Sequence, residues 1–293
     1  MNVAPMTAAA TARPIARRTV APGNPWALAR RALVYLLLSI AAFVSVFPFV
    51  WMMIGATNSS ADIIKGKASI GTALITNATT FFTQIDAIRI FWNSAVIAGV
   101  ATVLTLVVSS LAGYGFEMFR SRVRERIFAL LLLMLSIPFA AMMVPLFVMF
   151  AQARLVNTFA AVILPTVASI FIIFYFRQAT KAFPSELRDA AKIDGLKEWQ
   201  IFFYVYMPVM RSTYAAATII VFMTNWNNYL WPLIILQTAE NKTITLIISA
   251  LTSAYTPDYG MILFGTVLAT LPTLFIFFLL QRRFVEGMLG AVK

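Results

Sequence analysis

Long uncharged apolar blocks alternate along the chain with short polar segments that carry nearly all the charge. The blocks lie at Ala32–Ile54, Ile90–Phe116, Ile127–Phe150, Phe159–Phe176, Ser212–Leu236 and Gly260–Gln281. At about 1.5 Å per helical residue each can cross about 30 Å of hydrocarbon, Phe159–Phe176 only barely. The pattern predicts six membrane-spanning helices in an all-α membrane protein. Pro48, Pro138, Pro145, Pro165 and Pro272 fall inside these spans, where neighbouring helices can satisfy the carbonyls they free.

Before the first block, Met1–Pro25 is rich in Ala, Pro, Thr and Arg without apolar period, which reads as a disordered arm. A signal peptide is the rival reading. The apolar run has 23 residues, against roughly 7–15 for a signal core, and no A-x-A-like site closes it, so the arm is expected to be retained.

Composition agrees with the blocks. Of 293 residues 61% are hydrophobic and 12% charged, and the mean hydropathy is +0.84. Soluble domains run near about 45–50% apolar and about 25% charged. The absence of cysteine excludes disulfides, thiolate catalysis and Cys-ligated metals. The absence of histidine removes the commonest neutral-pH base and transition-metal ligand. With no cluster of acids, bases or metal ligands, neither a catalytic nor a metal site is expected. No G-x-x-x-x-G-K-[ST] run occurs, so ATP, if it is used, is hydrolysed by another subunit.

A net charge of +12 could suggest nucleic acid in a soluble protein, but here placement decides. With the N-terminus inside, 18 of the 23 Lys and Arg fall in segments on the cytoplasmic side: 1–31, 117–126, 177–211 and 282–293. Lys65, Lys67, Arg89, Arg154 and Lys242 fall on the other side. The basic residues are therefore topology signals, both termini are cytoplasmic, and no nucleic-acid partner is expected. The apolar blocks contain no Asp, Glu, Lys or Arg. Ion-coupled carriers keep such residues in the membrane, so their absence argues for a neutral cargo, or for one bound mainly by a partner subunit.

The longest cytoplasmic loop, 177–211, reads RQATKAFPSELRDAAKIDGLKEWQIFFYVYMPVMR. Pro184 and Ser185 signal a helix start, with Ser185 able to cap it and Glu186 favourable in the first turn. A short helix over Glu186–Ile193 is expected, stopped at Asp194-Gly195, where glycine accepts the left-handed conformation. A second helix then runs toward Pro208. Ala190 and Ala191 place two small side chains where another protein's surface could approach closely. The segment reads either as a docking element or as an ordinary connector.

The spacing of Asp189-Ala190-Ala191, Gly195 and Val205-Tyr206-Met207-Pro208 resembles the E-A-A-x3-G-x9-I-x-L-P signature of permease subunits of ABC importers. Asp189, Val205 and Met207 are conservative departures from it. Lys192-Ile193-Asp194-Gly195 and Trp199-Gln200 resemble the carbohydrate-uptake branch, on the side of the smaller maltose-permease subunit. Leu111–Phe116, followed by a basic turn, and the tail Arg283–Lys293 resemble the family as well.

The resemblance implies a type I ABC importer permease fold in a bacterial inner membrane. It divides the chain into a cytoplasmic arm (1–30), a first helix with an external segment (31–88), a transmembrane core (89–281) with its coupling loop (177–211), and a cytoplasmic tail (282–293). Asp189, Ala190, Ala191, Asp194, Gly195 and Pro208 become the ATPase-coupling residues. The implied partners are a second homologous permease, two ATP-binding subunits that hold ATP and Mg, an extracytoplasmic sugar-binding protein and membrane lipid. No cofactor is expected on this chain itself. An importer for a non-sugar solute is the nearest alternative, and an ion-coupled carrier a more distant one.

The fifth block contains Thr224-Asn225-Trp226-Asn227-Asn228-Tyr229-Leu230-Trp231-Pro232. Asparagines near mid-bilayer are costly unless they face protein or a watery cavity. Amides flanked by rings suit a neutral sugar, and they equally suit hydrogen bonding between helices. Asn225, Trp226, Asn228 and Tyr229 are the substrate-path candidates, with Asn225 and Asn228 sharing a helical face. The external loop Gln237–Tyr259, mostly polar or small, is the segment expected to meet the binding protein. Thr102, Thr105, Ser109 and Gly113 form a small-residue stripe expected to mark close helix packing.

Overall fold

A computed structural model describes residues 25–290. Most of the expected arm, and the last three residues of the tail, lie outside the described residues. Fifteen α-helices make up the described chain, with no strands among its residues. They are α1 (Pro25–Ala56), α2 (Ser60–Ile64), α3 (Leu74–Gln84), α4 (Ala87–Met118), α5 (Arg122–Met134), α6 (Phe139–Gln152), α7 (Phe159–Val167) and α8 (Ile170–Thr180). Then come α9 (Ser185–Ile193), α10 (Glu198–Ile201), a π-helical turn (Phe202–Tyr206), α11 (Met207–Val209), α12 (Arg211–Trp226), α13 (Leu230–Ile235), a 3₁₀ turn (Ala239–Asn241), α14 (Ile244–Thr252) and α15 (Tyr259–Gly290).

Two units are distinguished. Up to Val50, α1 forms one by itself, and its side chains from Leu28 onward are exposed, as suits a helix that is apolar all round. Residues from Trp51 onward form the other.

Four helical stretches are long and apolar enough to span a membrane, and counting two bent pairs gives six. The third and fifth spans are therefore not the straight helices the apolar blocks suggest. In the third, α5 and α6 meet at a bend of 100°. Pro138 lies not inside a helix but ahead of α6 in extended conformation, and a residue preceding proline is steered away from α geometry. The other prolines named above do sit inside helices.

Ahead of the fifth block the cytoplasmic stretch Glu198–Val209 meets Arg211–Ile235 at 81°, and the block itself is interrupted between α12 and α13. Pro208 has no N–H to donate, and the backbone ahead of it widens into the π turn, where Met207 N–H reaches back to Phe202 O.

Within the larger unit α4 is the central post, packed on α7, α8 and α12. Thr102, Thr105, Ser109 and Gly113 are all buried, and Thr105 Oγ1 donates to Thr166 O at 3.1 Å. A Cβ on Gly113 would lie 2.6 Å from Phe176 Cβ and 2.8 Å from Arg177 N, so α4 and α8 approach as closely as only glycine allows. The stripe packs against the neighbouring helices, and Thr105 also borders a cavity.

On the external side buried neutral side chains bond to backbone, beside an exposed Arg89–Glu240 ion pair at 3.5 Å. Asn93 Nδ2 donates to Glu240 O and Lys242 O at 2.8 and 3.1 Å, and Ser94 Oγ accepts from Ile244 N–H at 2.8 Å. Asn157, at φ 63°, accepts from the Gln237 and Thr238 N–H groups on its Oδ1. The 237–259 segment is thus not the polar loop expected: it contains α14, with Ile244 and Leu246 in the core.

Candidate functional site

At the cytoplasmic side α9 follows Pro184, whose extended backbone precedes the helix without a side-chain cap. Ser185 is the first helical residue rather than the cap, because proline already fixes the entry geometry. The helix ends as its composition suggests: Gly195 has φ 81°, its N–H bonds to Lys192 O, and Asp194 N–H bonds to Ala190 O.

Asp189, Ala190, Asp194, Gly195 and Pro208 are exposed. Ala191 is not: it is 6% exposed and turned into the chain, since neighbours on a helix point about 100° apart. The two alanines therefore do not form one docking surface. The exposed apolar groups beside Ala190 are instead Leu187, Ile193 and Trp199.

Charged groups that the apolar blocks left outside organise the same end. Helices α4 and α8 run past their uncharged stretches and bring Glu117 and Arg177 into the interior, 8% and 6% exposed. Arg177 Nε lies 3.3 Å from Glu117 Oε2, and its guanidinium also pairs with Glu125 on α5 and sits 4.0 Å over the Phe128 ring. Arg120 bonds the other oxygen of Glu117. Sixty residues separate Glu117 from Arg177, so no local pattern announces the pair.

A second group ties α9 to its neighbours. Arg188 Nη2 lies 2.7 Å from Glu198 Oε1 and Lys192 Nζ 3.0 Å from the same oxygen. Tyr114 Oη on α4 donates to Glu198 Oε2 at 3.3 Å. Burial pushes the Glu198 carboxyl up, but the Arg188 and Lys192 hydrogen bonds outweigh it and hold the group below its usual range. Burial also works against the Arg188 charge, which the bonds to Glu198 more than restore.

The four substrate-path candidates separate. A cavity of about 430 Å³ opens between α4, α6, α8 and α12, at the level where three spans are interrupted. It is lined by Phe139 at the start of α6, by Pro165, Thr166 and Ser169 at the α7–α8 break, and by Thr224, Asn225 and Asn228 at the end of α12, among others. Among the described residues lining it none is charged. Irregular backbone at membrane depth is tolerated where it borders such a cavity.

Asn225 spends its Nδ2 on Val221 O at 2.9 Å, and Asn228 makes no side-chain hydrogen bond among the described residues. The helix stops at Trp226, yet both amides still border the same space.

Trp226 and Tyr229 do not border it. Trp226 is buried with its Nε1–H on Ala269 O at 3.0 Å, stacked on Phe222, and it lines a different, apolar groove with Trp92 and Phe275. Tyr229, half-buried, packs against the core with its hydroxyl 3.2 Å from Ser249 Oγ. Residues the asparagine-rich stretch did not point to, Phe171 and Ser169, complete the cavity wall.

Comparison with known proteins places this architecture. Residues 105–290 match the family described as binding-protein-dependent transport system inner membrane component. The chain is 66% identical over 259 residues to a lactose transport system permease protein of Rhizobium radiobacter, covering 88% of this chain and 95% of that one. It is 34% identical to an arabinooligosaccharide transport system permease of Halalkalibacterium halodurans, covering 86% and 92%. A bacterial ABC transporter that imports the acidic polysaccharide alginate contains a chain that superposes with a TM-score of 0.74 at 17% identity, over 89% of this chain and 98% of that one. The all-helical fold is that of a type I ABC importer permease, and the chain belongs to the family of inner-membrane components of binding-protein-dependent transport systems.

Proposed function

We propose that the chain is one permease of an ATP-driven importer for a neutral disaccharide or oligosaccharide of the lactose class. The carrying observation is the 66% identity to a lactose transport permease along nearly the whole of both chains. The cavity supports it: an uncharged wall with the Asn228 amide unspent suits hydroxyl groups and offers nothing to neutralise an anion. A phosphate-ester cargo, the substrate named for relatives 28% identical, is disfavoured by that wall.

In this reading a loaded extracytoplasmic binding protein meets the external face around 237–259. A second permease completes the path, and two ATPase subunits, which hold ATP and Mg, grip α9. Asp189, Ala190, Asp194 and Gly195 form the docking edge, whereas Ala191 positions α9 from inside and Pro208 shapes the return into α12. ATP-driven closure of the ATPases opens the cavity outward, and hydrolysis resets it inward. The chain itself makes and breaks no bond.

The test is uptake of radiolabelled lactose into proteoliposomes holding the assembled transporter, with binding protein outside and ATP inside. ATP-dependent accumulation is expected, lost in Gly195→Arg together with co-purification of the ATPase. Accumulation that follows a proton gradient and ignores ATP would overturn the reading.

A further inference from the structure

The docking helix α9 and the wall of the cavity belong to different elements, and one carboxylate joins them. Glu198 Oε1 receives Arg188 Nη2 at 2.7 Å and Lys192 Nζ at 3.0 Å, both from α9. Glu198 Oε2 receives Arg188 Nε at 3.4 Å and the Tyr114 hydroxyl of α4 at 3.3 Å.

Tyr114 is 4% exposed and cannot yield independently, with its ring edge-on to Phe119, Phe202 and Tyr206. From there α4 continues unbroken to Thr105, nine residues and about 13 Å up the same helix, which lines the cavity. The Arg188 guanidinium lies 5.1 Å from the Phe119 ring at the other end of α4's last turn.

We propose that Glu198 is a positioning residue that transmits displacement of α9 to α4, and so to the cavity wall. The inference rests on the reading of α9 as the ATPase-docking helix. The chemistry requires a carboxylate. Four donor contacts converge on two oxygens, and both oxygens must accept at once. A glutamine of the same shape keeps one acceptor and turns an amide N–H toward donor-only groups of α9, either Arg188 Nη2 with Lys192 Nζ or Arg188 Nε beside the tyrosine, so part of the α9 grip on the junction opens. The loop is held besides by the Gly195 turn and by the cluster of Phe183, Phe202, Tyr206 and Met210, contacts that the glutamine leaves in place.

The test uses the assembled transporter in proteoliposomes, with radiolabelled lactose, its binding protein and internal ATP. Lactose taken up per ATP hydrolysed is measured for wild type, Glu198→Gln, Glu198→Asp and Tyr114→Phe. Glu198→Gln is expected to co-purify with the ATPase and hydrolyse ATP within about twofold of wild type, while uptake per ATP falls at least about tenfold. Glu198→Asp recovers part of the ratio. Tyr114→Phe, which leaves α9 and Glu198 intact, lowers it by a smaller factor.

Wild-type uptake per ATP in both Glu198→Gln and Tyr114→Phe overturns the proposal. So does a Glu198→Gln defect that tracks loss of ATPase binding or of thermal stability, provided Tyr114→Phe is also normal. The underlying reading fails separately: wild type would show no ATP-dependent uptake, or Gly195→Arg would keep both ATPase and transport.

Discussion

The two ends of this molecule are fastened by different chemistry. On the cytoplasmic side Arg177 joins Glu117 and Glu125 across α4, α5 and α8, and Glu198 joins Arg188, Lys192 and Tyr114. On the external side Asn93, Ser94 and Asn157 hold the 237–244 backbone by neutral hydrogen bonds, and the ion pair on that segment, Arg89 with Glu240 at 3.5 Å, is exposed to solvent where the Arg177–Glu117 pair is buried. Amide-to-backbone bonds tie one side chain to one place. Ion pairs between long side chains keep their attraction over several ångströms and can pivot while remaining paired. On the proposed function, these contacts suit the external end to a fixed collar and the cytoplasmic end to a linkage that pivots when the ATPases close.

The largest disruption of this contrast is expected from Arg177→Ala, which leaves the buried Glu117 carboxylate paired only with the exposed Arg120. A loss of about 3 kcal/mol in stability is expected, at the low end for a broken buried pair because Arg120 remains, read as a drop in melting temperature of the detergent-solubilised complex. Removing both charges in Arg177→Met with Glu117→Gln should return most of it. If the double variant melts no higher than the single one, the pair is not the source of the defect.

Next in size is Asn93→Ala, which strips two carbonyls of a buried donor and should cost about 1–3 kcal/mol. Its effect should be insensitive to salt. A marked dependence on ionic strength would erase the distinction between the two ends.

A smaller, conditional effect is expected from acid. Because the bonds from Arg188 and Lys192 hold Glu198 below its ordinary value of 4.5, the junction is intact above that value and is lost only as pH falls through the depressed one. Uptake per ATP measured against pH should stay flat from neutrality through pH 5. A midpoint above the ordinary carboxylate range would show that the pairing does not operate in the working transporter.

The smallest effect on stability belongs to Asn228→Ala. With no side-chain hydrogen bond among the described residues to break, its stability should stay within about 0.5 kcal/mol of wild type while lactose uptake falls. Unchanged uptake would return the asparagine to a packing role.

How far the chain's order of residues foretold this arrangement depends on the range of the interaction. Apolar runs and basic flanks act over one span at a time, and the six spans and the α9 turn at Gly195 were legible from them. Facing was not. Which of Ala190 and Ala191 turns inward, and whether Trp226 shares a wall with Asn225, depend on a rotation of about 100° per residue that only the neighbouring helices decide. Breaks were half legible: Pro138 was visible, but whether a proline kinks a helix or separates two depends on what packs beside it. The charged network was hidden for the same reason, since Glu117 meets Arg177 only once α4 and α8 lie at glycine distance.

The uncharged wall of the cavity also has an electrical meaning. A membrane voltage of 100 mV does about 2.3 kcal/mol of work on each elementary charge that crosses it. A neutral sugar passing a wall of amides, hydroxyls and rings carries none, and the described residues lining the cavity bring no ionised group to swing through the field with it. Uptake should then run at one rate whether the cell is fully energised or depolarised, so long as ATP lasts, and a starving bacterium could go on loading sugar after its membrane potential has collapsed.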